Sequence, residues 1–157
     1  GGGGNAAERG HPARSQRRGR AVILGLGIDL VDVSAFDAQL SDPATHFLAA
    51  TFTKGELQYA RAAPSGDPVR HLAARYAAKE AAVKALDVAC ARAGLEDQPL
   101  MPLKAIEVVC DDRGRPRLEL YGPAADLAAR LGADRTWVSI SHDGNAAVAT
   151  VVMERLA

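Results

Sequence analysis

The spacing of hydrophobic and polar positions changes several times along this chain, and each change marks an element. Residues 21–29, Ala-Val-Ile-Leu-Gly-Leu-Gly-Ile-Asp, are a short apolar run with β-branched members and predict a strand that ends at Asp29. Ser34 is placed to cap a short helix through Leu40, and Asp42-Pro43 to begin another. Thr53-Lys54-Gly55-Glu56 has the spacing of a capping box ahead of a helix to about residue 62. After a loop, Asp67-Pro68 opens a long helix that runs to Ala93 and stops at Gly94. Residues 95–103, with Pro99 and Pro102, predict an irregular connection. Two strands follow at 104–110 and 115–121, joined by the turn Asp111-Asp112-Arg113-Gly114. Pro123 starts a helix to Leu131, with Gly132 as its stop, and a last hairpin pairs 136–142 with 145–153 around Asp143-Gly144. Together these elements predict an α+β fold, an antiparallel sheet packed on a long helix.

The long helix carries the most informative stretch, Arg75-Tyr76-Ala77-Ala78-Lys79-Glu80-Ala81-Ala82-Val83-Lys84-Ala85. At about 100° per residue, with Glu80 at zero, Val69, Leu72, Tyr76, Val83 and Leu86 fall between about −20° and −120°. That is one apolar stripe. Lys84 lies one turn after Glu80 on the same face. Lys79 falls inside the stripe, where an ammonium must snorkel or meet a buried anion. Carboxylate and ammonium groups at the edge of a core-facing stripe suit a metal-bound phosphate ligand.

Composition narrows the function class. The chain has 157 residues, with 48% hydrophobic and 24% charged, which suits one soluble globular domain over residues 20–157. Residues 1–19 lack apolar periodicity and read as a disordered tail or remnant outside that domain. The net charge of zero divides into +4 over residues 1–20 and −4 over the rest. A mildly acidic body argues against nucleic-acid binding through the fold. No apolar run approaches a membrane span. The two cysteines, Cys90 and Cys110, have no metal-ligand spacing and read as free thiols of a reducing compartment, so a cytoplasmic location is expected.

Few groups have the placement for chemistry. Asp29 follows Gly25-Leu26-Gly27-Ile28, where small glycines admit another backbone or a ligand. Either Asp29 or Glu80 alone fits an ordinary surface acid. Paired, they offer oxygen ligands to a hard cation such as Mg²⁺, which takes one or two carboxylates and completes its shell with water and phosphate. Lys84 fits an intrahelical ion pair or a phosphate contact. Arg75 fits a surface salt bridge or a bidentate phosphate ligand. His142 sits where a strand enters a turn, a common place for ligand contacts. His11, His46 and His71 suggest only solvated positions.

Gly27-Ile28-Asp29, Phe52-Thr53-Lys54-Gly55-Glu56-Leu57, the Arg75–Ala85 stretch and Ser139-Ile140-Ser141-His142 occur in an order and spacing that resembles the holo-[acyl-carrier-protein] synthases, the small 4′-phosphopantetheinyl transferases. The likeness runs from about residue 21 to 155. It implies the 4′-phosphopantetheinyl transferase fold, a homotrimer, and coenzyme A bound as substrate at each subunit interface. It implies Mg²⁺ held by Asp29 and Glu80, both in the catalytic group with Lys84, and Lys84 in contact with the phosphate being transferred. Arg75, Lys79 and His142 match positions at or near the coenzyme A phosphates. The implied partner is an acyl-carrier protein or a carrier domain of a fatty-acid or polyketide synthase. One position departs: where many members have an arginine six residues after the metal-binding aspartate, this chain has Ala35, with Asp32 and Asp37 nearby. Electrostatic docking of an acidic carrier is therefore expected to differ. A coenzyme A-binding regulator without turnover and a trimerisation domain are the other classes; intact Asp29, Glu80 and Lys84 weigh toward an enzyme.

Overall fold

A computed structural model describes residues 20–95 and 97–156. The expected tail over 1–19 lies outside the described residues. The chain forms β1 (Ala21–Asp32), α1 (Val33–Leu40), α2 (Phe47–Thr51), α3 (Lys54–Ala62) and α4 (Pro68–Ala93). A 3-10 turn, Leu103–Ala105, leads to β2 (Ile106–Cys110), β3 (Pro116–Leu120), α5 (Gly122–Leu131), β4 (Arg135–Asp143) and β5 (Ala146–Leu156). β5 runs antiparallel between β1 and β4, and β2 pairs antiparallel with β3 in a separate ribbon. Among the described residues no helix is long and apolar enough to cross a membrane.

α4 spans the molecule and lies against the three-stranded sheet. Its side facing β1 is almost entirely alanine: Ala77, Ala78, Ala81, Ala82 and Ala85 are all fully buried. The reason lies across the interface. A Cβ on Gly25 would sit 2.0 Å from the Ala85 carbonyl oxygen, and one on Gly27 would sit 1.9 Å from that of Ala81. Only glycine on the strand and alanine on the helix permit this approach. The stripe expected from the helical wheel is real but has another role. Leu72 and Leu86 are buried, while Val69, Tyr76 and Val83 are only half-buried on the flank of α4. The core-facing side lies instead at the alanine positions, which carry little hydrophobic weight in a periodicity count.

The ends of the elements follow their capping chemistry. The Thr53 side chain accepts from Glu56 N, and the Glu56 carboxylate accepts from Thr53 N, closing the expected box. Asp67 caps α4, and Gly94 and Gly132 end α4 and α5 at φ of 70°. Three expectations need correction. Asp32 caps α1, accepting from Ala35 N at 2.8 Å, whereas Ser34 binds Asn145 Oδ1. Asp42-Pro43 forms a turn, since Asp42 folds its side chain back onto Ala44 N; the helix begins only at Phe47. β1 continues three residues past Asp29, because β5 pairs with it as far as Asp32.

Phe36, Phe47, Phe52 and Tyr76 cluster edge-on and tilted under α1 and α2, with Phe36 and Tyr76 centroids 5.4 Å apart. On the sheet face away from α4, Leu26, Ile28, Leu30 and Trp137 are all more than half exposed.

Candidate functional site

The close approach of β1 to α4 builds the site. Side chains on a strand alternate, so Asp29 points to the same side as Gly25 and Gly27, toward the helix. With the two glycines seated on Ala85 and Ala81, Asp29 falls beside Glu80. The Glu80 carboxyl is pushed above the usual carboxylate range, first by burial and next by the charge of Asp29. The Tyr76 hydroxyl is directed at Glu80 from one turn earlier and offsets part of that shift. Lys84 Nζ donates to Asp29 Oδ1 and to the Ile28 carbonyl, both at 2.9 Å. Three of the residues expected to act together therefore do meet: Asp29, Glu80 and Lys84.

Their donor set suits Mg²⁺. Both acids offer only oxygen, and their mutual repulsion is what a divalent cation relieves. Among the described residues no group of three or more His, Cys, Asp or Glu side chains is arranged to hold a metal unaided. A cation here would take further oxygens from a ligand or from water.

Glu80 stands on a ridge between two depressions. One, of about 330 Å³, lies between Asp29, Asp32, Ala35, Gln39 and Tyr76. The other, of about 450 Å³, runs along α4 past Val83 and Lys84 to Cys90, Leu127 and Met101. The first is polar and holds the carboxylates; the second has largely apolar walls with Lys84 at one end.

A second polar group surrounds Arg75, five residues and so about 7.5 Å before Glu80 along the helix. Arg75 is 3% exposed, lies 4.0 Å over the Tyr59 ring, and donates to the His71 carbonyl and to Cys110 Sγ. Its Nε is buried without a protein partner. Such a cation is prepared for an anion. His71 is half-buried rather than solvated: a ring nitrogen lies 2.8 Å from Ser65 Oγ. Burial lowers its pKa first, then the Arg75 charge, and His142 is near enough to contribute as well. Arg75 and His71 thus share one end of the site, and His142 lies at the exposed end of β4. The sequence reading gave no site role to Tyr59, which meets Arg75 from another element, or to His71 and Tyr76, which lie on α4 itself. The i, i+4 spacing of His71 and Arg75 on one helix was the available signal.

Lys79 belongs elsewhere. It is fully buried, and its ammonium is held by Glu56, itself 1% exposed. Glu56 also accepts from Val108 N at 2.9 Å. Burial lowers the Lys79 pKa and the Glu56 charge opposes that. The ammonium reaches no surface from which coenzyme A can be touched, so its grouping with the cofactor-binding residues is corrected. It meets a buried anion and ties α3, β2 and α4 together.

A long helix thus carries Glu80 and Lys84 one turn apart and lies across a glycine-bearing strand from which Asp29 projects toward them. Residues 25–151 match the family model described as the 4′-phosphopantetheinyl transferase superfamily, and the chain belongs to that superfamily. It is 41% identical over 135 residues to the holo-[acyl-carrier-protein] synthase of Geobacter metallireducens, spanning 86% of this chain and 100% of the relative. Against the enzyme of the same name from Nocardia farcinica the identity is 44%, over 85% of this chain and 88% of that one. The fold superposes on a structure described as the Chronobacterium ammoniagenes ACPS-CoA complex with a TM-score of 0.71 and 34% identity, covering 88% of this chain and 98% of that one. The α+β expectation and the family resemblance both hold.

Proposed function

We propose that this protein transfers 4′-phosphopantetheine from coenzyme A to a serine of an apo acyl-carrier protein or carrier domain, releasing adenosine 3′,5′-bisphosphate. The observation that carries this reading is the meeting of Asp29, Glu80 and Lys84 on one face. Two acids and one mobile cation are what a diphosphate and its counter-ion require.

Mg²⁺, held by Asp29 and Glu80, would supply charge neutralisation on the diphosphate. The serine oxygen attacks the phosphorus that bears the pantetheine arm. The bond from that phosphorus to the bridging oxygen breaks, and the bisphosphate leaves. Glu80, or a water beside it, takes the serine proton. Lys84 carries charge or a proton to the departing oxygen. Arg75, with its unpartnered Nε and its neighbours His71 and His142, is the place for a further phosphate of the coenzyme A nucleotide. The 450 Å³ depression past Val83 has the size and mixed lining of a ligand pocket and suits the pantetheine arm.

The exposed row of Leu26, Ile28 and Leu30 with Trp137 is a surface that another copy of the chain would cover, and a trimer is the assembly this reading takes. Ala35 lies exposed at the lip of the acidic depression, so a docked carrier passes over it. The test is incubation with coenzyme A, Mg²⁺ and an apo-carrier, followed by intact-mass measurement. Gain of one phosphopantetheine per carrier, lost on chelation, is the expected result. Binding of coenzyme A without any mass gain would leave a binding protein instead.

A further inference from the structure

We infer that Lys84 is an exchangeable counter-ion for Asp29, which competes with a divalent cation for that carboxylate and is released from it when the nucleotide phosphates bind. The inference deepens the proposed function and rests on its cation site. It begins with unequal freedom. The Asp29 side chain is 18% exposed and fixed by its place in β1, whereas the Lys84 side chain is 53% exposed on a flexible stem. Lys84 nevertheless spends two of its three donors on β1, at Asp29 Oδ1 and the Ile28 carbonyl. The charge that a divalent ion would place beside Asp29 is thus already supplied, in part, by the protein.

Both cations cannot use that oxygen at once. An ammonium about 3 Å from a carboxylate oxygen would lie within strong repulsion of a doubly charged ion on the same group. The ion pair therefore lowers the affinity of the site for a cation in the absence of substrate. A phosphate within reach offers the ammonium another anion, and the transfer frees Asp29. Cation and nucleotide are then coupled beyond their direct attraction, and the coupling is reciprocal. One side chain would keep two neighbouring acids from repelling in the resting protein and would arrive at the phosphate only when a cation can replace it.

The sign of the prediction is unusual for a substrate-binding residue: removing Lys84 should tighten cation binding. Mn²⁺ titrations followed by the free-ion electron paramagnetic resonance signal would compare wild type, Lys84→Met, Lys84→Arg and Asp29→Asn. Each is measured with and without adenosine 3′,5′-bisphosphate. For Lys84→Met, the Mn²⁺ affinity without nucleotide is expected to rise by about threefold or more, the scale of a partly exposed ion pair. The enhancement of Mn²⁺ binding by nucleotide should shrink by the same factor. Lys84→Arg, which keeps the cation, should stay within about twofold of wild type. An unchanged or weaker affinity in Lys84→Met overturns the exchange, as does equal tightening in Lys84→Arg. If Mn²⁺ binding is absent from wild type, or persists undiminished in Asp29→Asn, the cation site itself is wrong and the exchange falls with it. Mn²⁺ binding that Asp29→Asn removes but Lys84→Met leaves alone refutes only the exchange.

Discussion

Gly27 of β1 sits so close to Ala81 of α4 that a Cβ on the glycine would lie 1.9 Å from the alanine's carbonyl oxygen. The atom in the way belongs to the helix backbone and cannot rotate aside. Gly27→Ala must therefore push strand and helix apart, two residues before Asp29. The expected cost is about 1–3 kcal/mol or more, the range of overpacked cores. Transfer activity should fall further than stability does, because Asp29 moves away from Glu80. Thermal melts and turnover measured on the same preparation would check this; a variant with wild-type melting temperature would contradict the contact.

Glu80 should be better for function than for stability. Its pKa is raised in the folded protein above an ordinary value of 4.5, by burial first and Asp29 second. A raised carboxyl stabilises the fold relative to the unfolded chain below the unfolded pKa, and that contribution is lost as pH rises through the folded value. At neutral pH without divalent cations the ionised group is thus a liability. Glu80→Gln should raise the melting temperature at pH 7 by about 2 °C or more, with the gain vanishing toward pH 4. Turnover should fall by at least ~10²-fold, the scale of losing a charge-stabilising group. A melting temperature at pH 7 below that of wild type would refute the sign.

The Lys79–Glu56 pair should show the asymmetry of buried charges. Lys79→Met leaves the Glu56 carboxylate buried without its partner, and the expected loss is about 3–5 kcal/mol. Lys79→Met combined with Glu56→Gln should recover much of it, because no unpaired charge remains. Denaturant titrations of the single and double variants test this. Equal stabilities for the two would mean that the pair carries no coupling.

Leu26, Ile28 and Leu30 lie on the sheet face away from α4, each more than half exposed. Light scattering on wild type is expected to give the mass of a trimer. Ile28→Glu should dissociate it, since a charge cannot be buried there without a partner. Full activity in a wild-type monomer at assay concentration would exclude an active site that needs its neighbours.

Ala35 leaves its position at the lip of the acidic depression without a charged side chain. Ala35→Arg should raise kcat/KM for an acidic stand-alone carrier at low salt, mostly through KM, and the gain should fade as salt screens it. No effect at any ionic strength would place the docking surface elsewhere, with Arg61 and Arg70 next to test.

Much of this protein is local and was therefore legible in its sequence. The capping box at Thr53, the proline and glycine that bound α4, and the turns at Gly114 and Gly144 each depend on residues a few positions apart. Glu80 and Lys84 are one turn apart, so their shared face is also fixed by helical geometry. Partnership across the chain is another matter. The wheel placed the core along Leu72, Val83 and Leu86, but the sheet took the alanine face, because Gly25 and Gly27 allow only small side chains opposite them. That contact, 54 residues apart in sequence at Gly27 and Ala81, is what sets Asp29 beside Glu80 and gives Lys84 an acid to hold. The wheel demanded an anion for Lys79 but could not name Glu56, and it could not see that the pair is sealed from the ligand face. His71 looked like a solvated residue until Ser65, Tyr59 and Arg75 closed around it. Short-range geometry determined which groups were available; only tertiary packing, through a distance set by two missing side chains, decided which of them meet.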